Sequence, residues 1–300
     1  MFQLILNMRL NNTLLLTLAT LSFIALQRNT ASAQVSVWDE ERRGSLYFGV
    51  GSAIMENYSN STIHIDQSSL GNTYVLNKLA GSNSGSGGGS FSPLSLNYRL
   101  GYFFSYRQDW GFELNFDPTT YYVKDGQKTP VSGTMNGTPY SGTITFSAAN
   151  GYKYSLNGGN LILLNVVKRF GLFWGRTHKV RFDAFVKAGV GPVMPKATAT
   201  LNGPANSPQM QFSGINGGVE GALRATLFRY IYFEVAAKYD YASFSGMKVY
   251  EGTAKQNLAV TSVVGTVGIT LPTTKHHPLY EKGEKKRRVV TIKPMYPGKE

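Results

Sequence analysis

A histidine, a carboxylate and two hydroxyls fall close together at His64-Ile65-Asp66, Ser68 and Ser69. A base oriented by a carboxylate activates a hydroxyl for acyl transfer. In a segment this rich in serine the same proximity arises by chance. No Gly-x-Ser-x-Gly elbow, His-Glu-x-x-His pair or phosphate-binding glycine loop accompanies it. The other histidines, His178 and the pair His276-His277, lack further ligands for a metal. The absence of cysteine excludes a cysteine nucleophile, a zinc–cysteine site, a disulfide framework and a lipoprotein anchor. No catalytic set, metal or cofactor is therefore expected, and the chain reads as a non-enzyme.

The chemistry that the spacing does spell out is ion pairing. Six cations (Arg99, Arg169, Arg181, Lys187, Arg224, Lys238) and six anions (Glu113, Asp117, Asp183, Glu220, Glu234, Asp240) stand at alternate positions within apolar segments. Trp110, Phe112, Leu114 and Phe116 alternate with Gly111, Glu113, Asn115 and Asp117. Val180, Phe182, Ala184, Val186 and Ala188 oppose Arg181, Asp183, Phe185, Lys187 and Gly189, and Ile231 to Tyr241 repeats the pattern. Period-two alternation belongs to strands with one apolar and one polar face. A charge facing lipid at mid-depth costs roughly 2–4 kcal/mol for Arg or Lys, so the charged faces should turn inward and pair.

Extending this reading gives eight strands near 45–54, 94–106, 110–123, 161–170, 179–191, 212–227, 230–243 and 257–271. The registers of the first, fourth and last are less defined; in the fourth, Asn165 and Arg169 suggest one face and Lys168 the other. Most reach the ~9–11 residues with which a tilted strand crosses a bilayer. Connections alternate between short (Arg107-Gln108-Asp109, the stretch from Gly171 to His178, Phe228-Arg229) and long (55–93, 124–160, 192–211, 244–256). The expected fold is an all-β, closed, antiparallel up-and-down transmembrane barrel. A hairpin around Asn150-Gly151, with Ile144 and Phe146 before it and Tyr152 and Tyr154 after, opens a ten-strand alternative; its second arm is too short to span, so it reads as a protrusion. Aromatic residues gather at the short turns: Tyr102, Phe104, Tyr106 and Trp110, then Phe170, Phe173 and Trp174, then Phe228, Tyr230 and Tyr232. Such a girdle fits headgroup depth.

The ends of the chain carry an address and an arm. A charge at Arg9, an apolar run from Thr13 to Leu26 and Ala31-Ser32-Ala33 compose a secretory signal peptide over 1–33, leaving 34–44 as a periplasmic segment. The formal charge of +13 falls to 13 − 2 = +11 once Arg9 and Arg28 are removed. An exported chain seldom meets nucleic acid, so no nucleic-acid partner is expected. The segment 272–300 is basic and proline-rich, with Lys282, Lys285, Lys286, Arg287 and Arg288 in one cluster. It reads as an extended periplasmic tail for peptidoglycan or an acidic partner, or as a merely solvated one.

With signal, alternating strands, aromatic turns and charged inner faces in place, residues 45–271 resemble the small bacterial outer-membrane barrels of the OmpA/OmpX and OmpW types. The last strand, Thr266-Val-Gly-Ile-Thr-Leu271, loosely resembles that family's terminal strand signal, although the chain continues beyond it. The resemblance implies an outer-membrane location with both termini periplasmic, contact with membrane lipid and lipopolysaccharide, and an extracellular partner for the long loops. An eight-stranded barrel is just wide enough for side chains to fill. The expected function is a charge-plugged structural or surface-interaction barrel. A narrow porin-like channel is the first alternative, with water passing inward glycines such as Gly49, Gly51, Gly101, Gly189, Gly191 and Gly218. A lipid-modifying barrel enzyme is the second.

Overall fold

A computed structural model describes residues 44–83, 96–104, 109–174, 180–201 and 203–273. The signal segment, most of 34–44, Tyr106, His178, the side chain of Trp174 and the basic tail lie outside the described residues. In chain order the strands are β1 (Ser45–Tyr58), β2 (Ser61–Gln67), β3 (Asn72–Leu79), β4 (Gly81–Ser82), β5 (Asn97–Phe103), β6 (Trp110–Asp117), β7 (Tyr121–Val123) and β8 (Gln127–Met135). There follow β9 (Thr138–Phe146), β10 (Tyr152–Leu156), β11 (Asn160–Trp174), β12 (Val180–Met194), β13 (Ala197–Leu201), β14 (Gly214–Leu227), β15 (Ile231–Val249) and β16 (Gly252–Pro272).

The alternating segments close on themselves. Hydrogen-bonded neighbours run β1-β5-β6-β11-β12-β14-β15-β16, and β16 pairs back onto β1. Ser45 stands opposite both Phe103 and Pro272, so the first strand is bordered on each side and this sheet has no open edge there. Every pairing in the circuit is antiparallel. Closure satisfies backbone groups around the whole wall, the condition for strands to cross a bilayer. Outward positions are apolar and exposed: Phe112 and Leu114 on β6, Phe182 and Val186 on β12, Val219 and Leu223 on β14, Phe233 and Val235 on β15, Val267 and Ile269 on β16. Inward positions of the same strands hold the buried charges.

The turn ends keep the aromatic girdle with one correction. Phe104, Trp110, Phe173, Phe228 and Tyr230 are exposed on the outside, whereas Tyr232 is buried in the lumen. Its place one residue before Phe233 requires this, because Phe233 faces out and neighbours on a strand face opposite ways. Lys168 also lies outside, its ammonium 4.7 Å from the Trp110 ring and paired with Asp109.

Among the described residues, most of the stretches read as long loops form β-structure. β15 has 19 residues and β16 has 21, far more than a crossing needs, and the surplus of β16 pairs with β2. β3, β8 and β9 extend the sheet from there. A second sheet, ordered β13-β10-β7-β4, joins them around an apolar core that includes Ile63, Ile65, Leu76, Tyr121, Phe146, Tyr154, Leu161, Val193 and Phe244. We call this the cap. The hairpin expected at Asn150-Gly151 does not form: β9 pairs with β8 and β10 with β13 and β7, so its arms join different sheets, and neither enters the circuit. Phe146 and Tyr152 still meet across the turn, ring centroids 5.9 Å apart. The tight hairpin in this region is at Asn136-Gly137, with φ of 51° and 75°. Two successive left-handed residues are what a twisted two-residue β-turn demands, and Asn-Gly is the pair best suited to it.

A chain of side-chain hydrogen bonds pins the cap together. Tyr154 Oη donates to Gln256 Oε1 at 2.9 Å, Gln256 Nε2 donates to Ser61 Oγ at 3.0 Å, and Ser61 meets Tyr121 Oη at 2.8 Å. Tyr121 Oη donates in turn to Leu79 O at 3.0 Å. Burial pushes the Tyr121 phenol up to about 12, so it remains a donor at neutral pH.

Candidate functional site

The lumen is filled in layers. Nearest the short turns, Tyr47, Phe103, Phe185 and Tyr232 form an aromatic floor; Tyr47 and Phe103 stack at 5.3 Å and Phe103 and Phe185 meet at 5.9 Å. The Arg224 guanidinium is enclosed by three of these rings, 4.4 Å from Tyr47, 4.5 Å from Phe185 and 4.0 Å from Tyr232. A desolvated cation over aromatic faces gains ~2 kcal/mol or more. Arg169 lies 4.6 Å from the Phe103 ring on the same floor.

Above the floor, three carboxylates and three cations interlock. Lys187 Nζ donates to Glu113 at 2.9 and 3.0 Å and to Glu234 at 2.9 Å, and stands 2.9 Å from Glu220. Arg99 Nη1 donates to Glu220 at 2.6 Å and to Glu234 at 3.3 Å. Arg224 Nε donates to Glu234 Oε2 at 2.8 Å, and Tyr47 Oη to Glu113 Oε2 at 2.8 Å. A second group sits higher: Lys238 pairs with Asp117 and, at 3.2 Å, with Asp240, and Asn97 donates to Asp117 at 2.5 Å. All nine ionised side chains are at most 5% exposed. Charges so buried persist only when paired.

Three of the twelve expected charges stand apart from these two ion-paired groups: Arg169, on the floor, and the pair Arg181 and Asp183. Arg181 pairs with Asp183 of its own strand at 2.7 Å and keeps a partly exposed side chain. It therefore belongs to the rim of the floor rather than to the central cluster. The tail cluster Lys282, Lys285, Lys286, Arg287 and Arg288 lies outside the described residues.

The ion pairs reach from wall to wall. In the circuit β5 and β14 are opposite each other, as are β6 and β15. Arg99–Glu220 joins the first pair of walls and Lys238–Asp117 the second. The inward glycines do not leave gaps between them. A Cβ at Gly101 would lie 2.1 Å from the Tyr47 ring, one at Gly49 2.2 Å from Tyr232 Oη, and one at Gly218 2.1 Å from Asp240 Oδ1. Gly101 and Gly218 make room for a large neighbour on the adjoining strand, and Gly49 for Tyr232 from the next strand but one. At Gly49, Gly101 and Gly218 the space that a side chain would take is filled by these neighbours.

The catalytic alternative fares differently. His64 and Asp66 are two apart on the exposed face of β2, opposite Lys255 and Thr253 of β16. Ser69 Oγ donates to Glu251 O, and among the described residues no hydrogen bond joins His64 to Asp66, Ser68 or Ser69. The sequence reading missed the aromatic floor. Its signal was legible in part, since Phe185 and Tyr232 sit on charge-bearing faces of clearly alternating strands.

A closed antiparallel barrel, apolar outside and ion-paired inside, is a transmembrane β-barrel. No protein-family model matches the chain, and no curated protein does. Among solved structures it is similar to Neisserial surface protein A (NspA), at 10% identity and a TM-score of 0.33, over 75% of this chain and 96% of that one. It is similar also to the outer membrane protein OprG of Pseudomonas aeruginosa, at 13% identity and a TM-score of 0.31, over 77% and 97%. A third is Ail, the attachment invasion locus protein of Yersinia pestis, in complex with the heparin analogue sucrose octasulfate, at 13% identity and a TM-score of 0.28, over 76% and 99%.

Proposed function

We propose that this protein is an integral barrel of the bacterial outer membrane, closed by its own charges, that acts through the β-structure raised above the membrane. In this reading it is a structural or surface-interaction protein and not a catalyst. The observation that carries it is the set of ion pairs joining opposite walls of the lumen, Arg99 to Glu220 and Lys238 to Asp117, between an aromatic floor and an apolar cap. The short turns and the two ends of the barrel wall, where Thr273 N–H donates to Gly44 O at 2.9 Å, are assigned to the periplasm. The basic residues beyond Thr273 then face anionic peptidoglycan or an acidic periplasmic partner. The cap faces the extracellular partner.

Recordings in planar bilayers test the closed lumen. Purified protein is expected to give no steady single-channel steps, because a permeating ion would have to break buried ion pairs that cross the lumen from wall to wall. Steady unitary currents from the unaltered protein would overturn the reading in favour of a narrow channel.

A further inference from the structure

The packed charges of the lumen do not balance. The layer above the floor sets Glu113, Glu220 and Glu234 against Arg99, Lys187 and Arg224, whereas the higher group sets Asp117 and Asp240 against Lys238 alone. Five carboxylates and four cations leave 4 − 5 = −1 among side chains that are at most 5% exposed. Arg169 and the Arg181–Asp183 pair stand lower, at the floor. A buried carboxylate without a counter-charge takes up a proton or a cation.

Oxygens without donors mark where the charge is missing. Asp240 Oδ2 faces Lys238 at 3.2 Å, but Asp240 Oδ1 has no hydrogen-bond partner among the described residues, and neither has Glu220 Oε2. Both flank Gly218: Asp240 is its partner on β15, and Glu220 is the next inward residue of its own strand. Gly218 is paired on its other side with Gly189 of β12, and Gly189 with Asn165 of β11. A Cβ at Gly218 would lie 2.1 Å from Asp240 Oδ1, and one at Gly189 would lie 2.2 Å from Asn165 Oδ1. Opposed Cβ positions are ~4.5–5.5 Å apart, so the two oxygens overhang neighbouring points of one glycine shelf. Asn165 is itself 3% exposed, and its Nδ2 lacks a partner among the described residues. Hard oxygen donors suit hard cations. Among the described residues no group of three His, Asp or Glu side chains is placed to hold a metal ion, and one charge is missing. The shelf therefore suits a monovalent ion that takes an amide oxygen beside the carboxylates.

We propose that the Gly189–Gly218 shelf binds one alkali-metal cation, held by Asp240 Oδ1, Glu220 Oε2 and Asn165 Oδ1. The ion completes the charge balance of the plug. It adds a ligand to a lumen otherwise filled by the chain's own side chains.

Thermal unfolding of the full chain, refolded from urea into detergent in each salt at equal ionic strength, tests the site. Sodium or potassium chloride is expected to raise the unfolding temperature by about 2–4 °C over N-methyl-D-glucamine chloride, whose cation is too large for the shelf. The rise should grow with the metal-ion concentration. Asp240→Asn should remove the difference, whereas Asp183→Asn, at the rim of the floor, should keep it. Crystals grown in rubidium chloride read the site directly, with an anomalous peak expected between Asp240 and Asn165. An unfolding temperature of the parent protein indifferent to the cation would overturn the site in favour of a proton shared by Asp240 and Glu220. Density at the shelf without anomalous signal would overturn it in favour of ordered water. Neither outcome touches the closed lumen, which the bilayer recordings test separately.

Discussion

Glu234→Ala is expected to lower the unfolding free energy of the barrel in lipid vesicles by about 3–5 kcal/mol, the scale seen when one partner of a buried ion pair is removed. Glu234 accepts from Lys187 and Arg224 and is approached by Arg99. Its loss leaves Arg224 boxed by three aromatic rings and without the carboxylate it is paired with. The attraction in this layer is offset by desolvation, and it is incompletely satisfied: Arg99 Nε and Nη2, Glu220 Oε2 and the Asn115 amide lack partners among the described residues. The paired replacement Arg224→Met with Glu234→Met should therefore cost less than Glu234→Ala alone. Arg181→Ala should cost less still, because Arg181 is partly exposed and lies outside the central cluster. Urea titrations of the refolded proteins measure all three. A single variant no worse than the double would show that the carboxylate is not holding the cations.

Phe244→Ala is expected to have an effect of similar size but in a different place. Phe244 is 1% exposed at the foot of the cap, packed within the apolar core, and β15 shifts register immediately beyond it, between Phe244 and Met247. Removing a buried phenyl costs about 3–5 kcal/mol. Because the cap core and the ion-paired layer share few side chains, the loss should fall on the cap as a separately opening unit. The variant is expected to become protease-sensitive within 55–93 and 124–160 while its barrel, as expected of the unaltered protein, still migrates differently on SDS gels before and after heating. Simultaneous loss of both properties would mean that cap and barrel form one cooperative unit.

The barrel wall was legible because its signal is local. Alternation along Trp110–Asp117, Val180–Met194 and Ile231–Val249 places each side chain inward or outward without knowledge of partners. Where a strand slips, the signal blurs: β1 shifts between Ala53 and Met55, and β11 between Gly171 and Phe173, two strands whose registers were hard to read. The cap carries the same alternation, with Ser61, Ile63, Ile65 and Gln67 buried on β2 and Tyr152 and Tyr154 on β10. Its Ser, Thr, Asn and Gly content resembles that of a loop, and its partners are remote, as with Tyr121 on Leu79 and Tyr154 on Gln256. Asn136-Gly137 is a usable turn signal within a stretch that otherwise reads as a loop. The inward glycines misled for a related reason. Whether Gly101 is a gap or a seat depends on Tyr47 standing opposite it, and that pairing exists only once the strands are in register.

Paired single-cysteine labelling on β15 tests the central claim most directly, since the chain has no cysteine of its own. Val235→Cys faces outward and Ala236→Cys faces the packed lumen between Glu234 and Lys238. In native membranes Val235→Cys is expected to react with a lipid-soluble maleimide and not with a charged, water-soluble one, and Ala236→Cys with neither until the protein is unfolded. Rapid modification of Ala236→Cys by the water-soluble reagent in the folded protein would contradict a sealed, ion-paired interior, and the same result at Val235→Cys would contradict the lipid-facing wall.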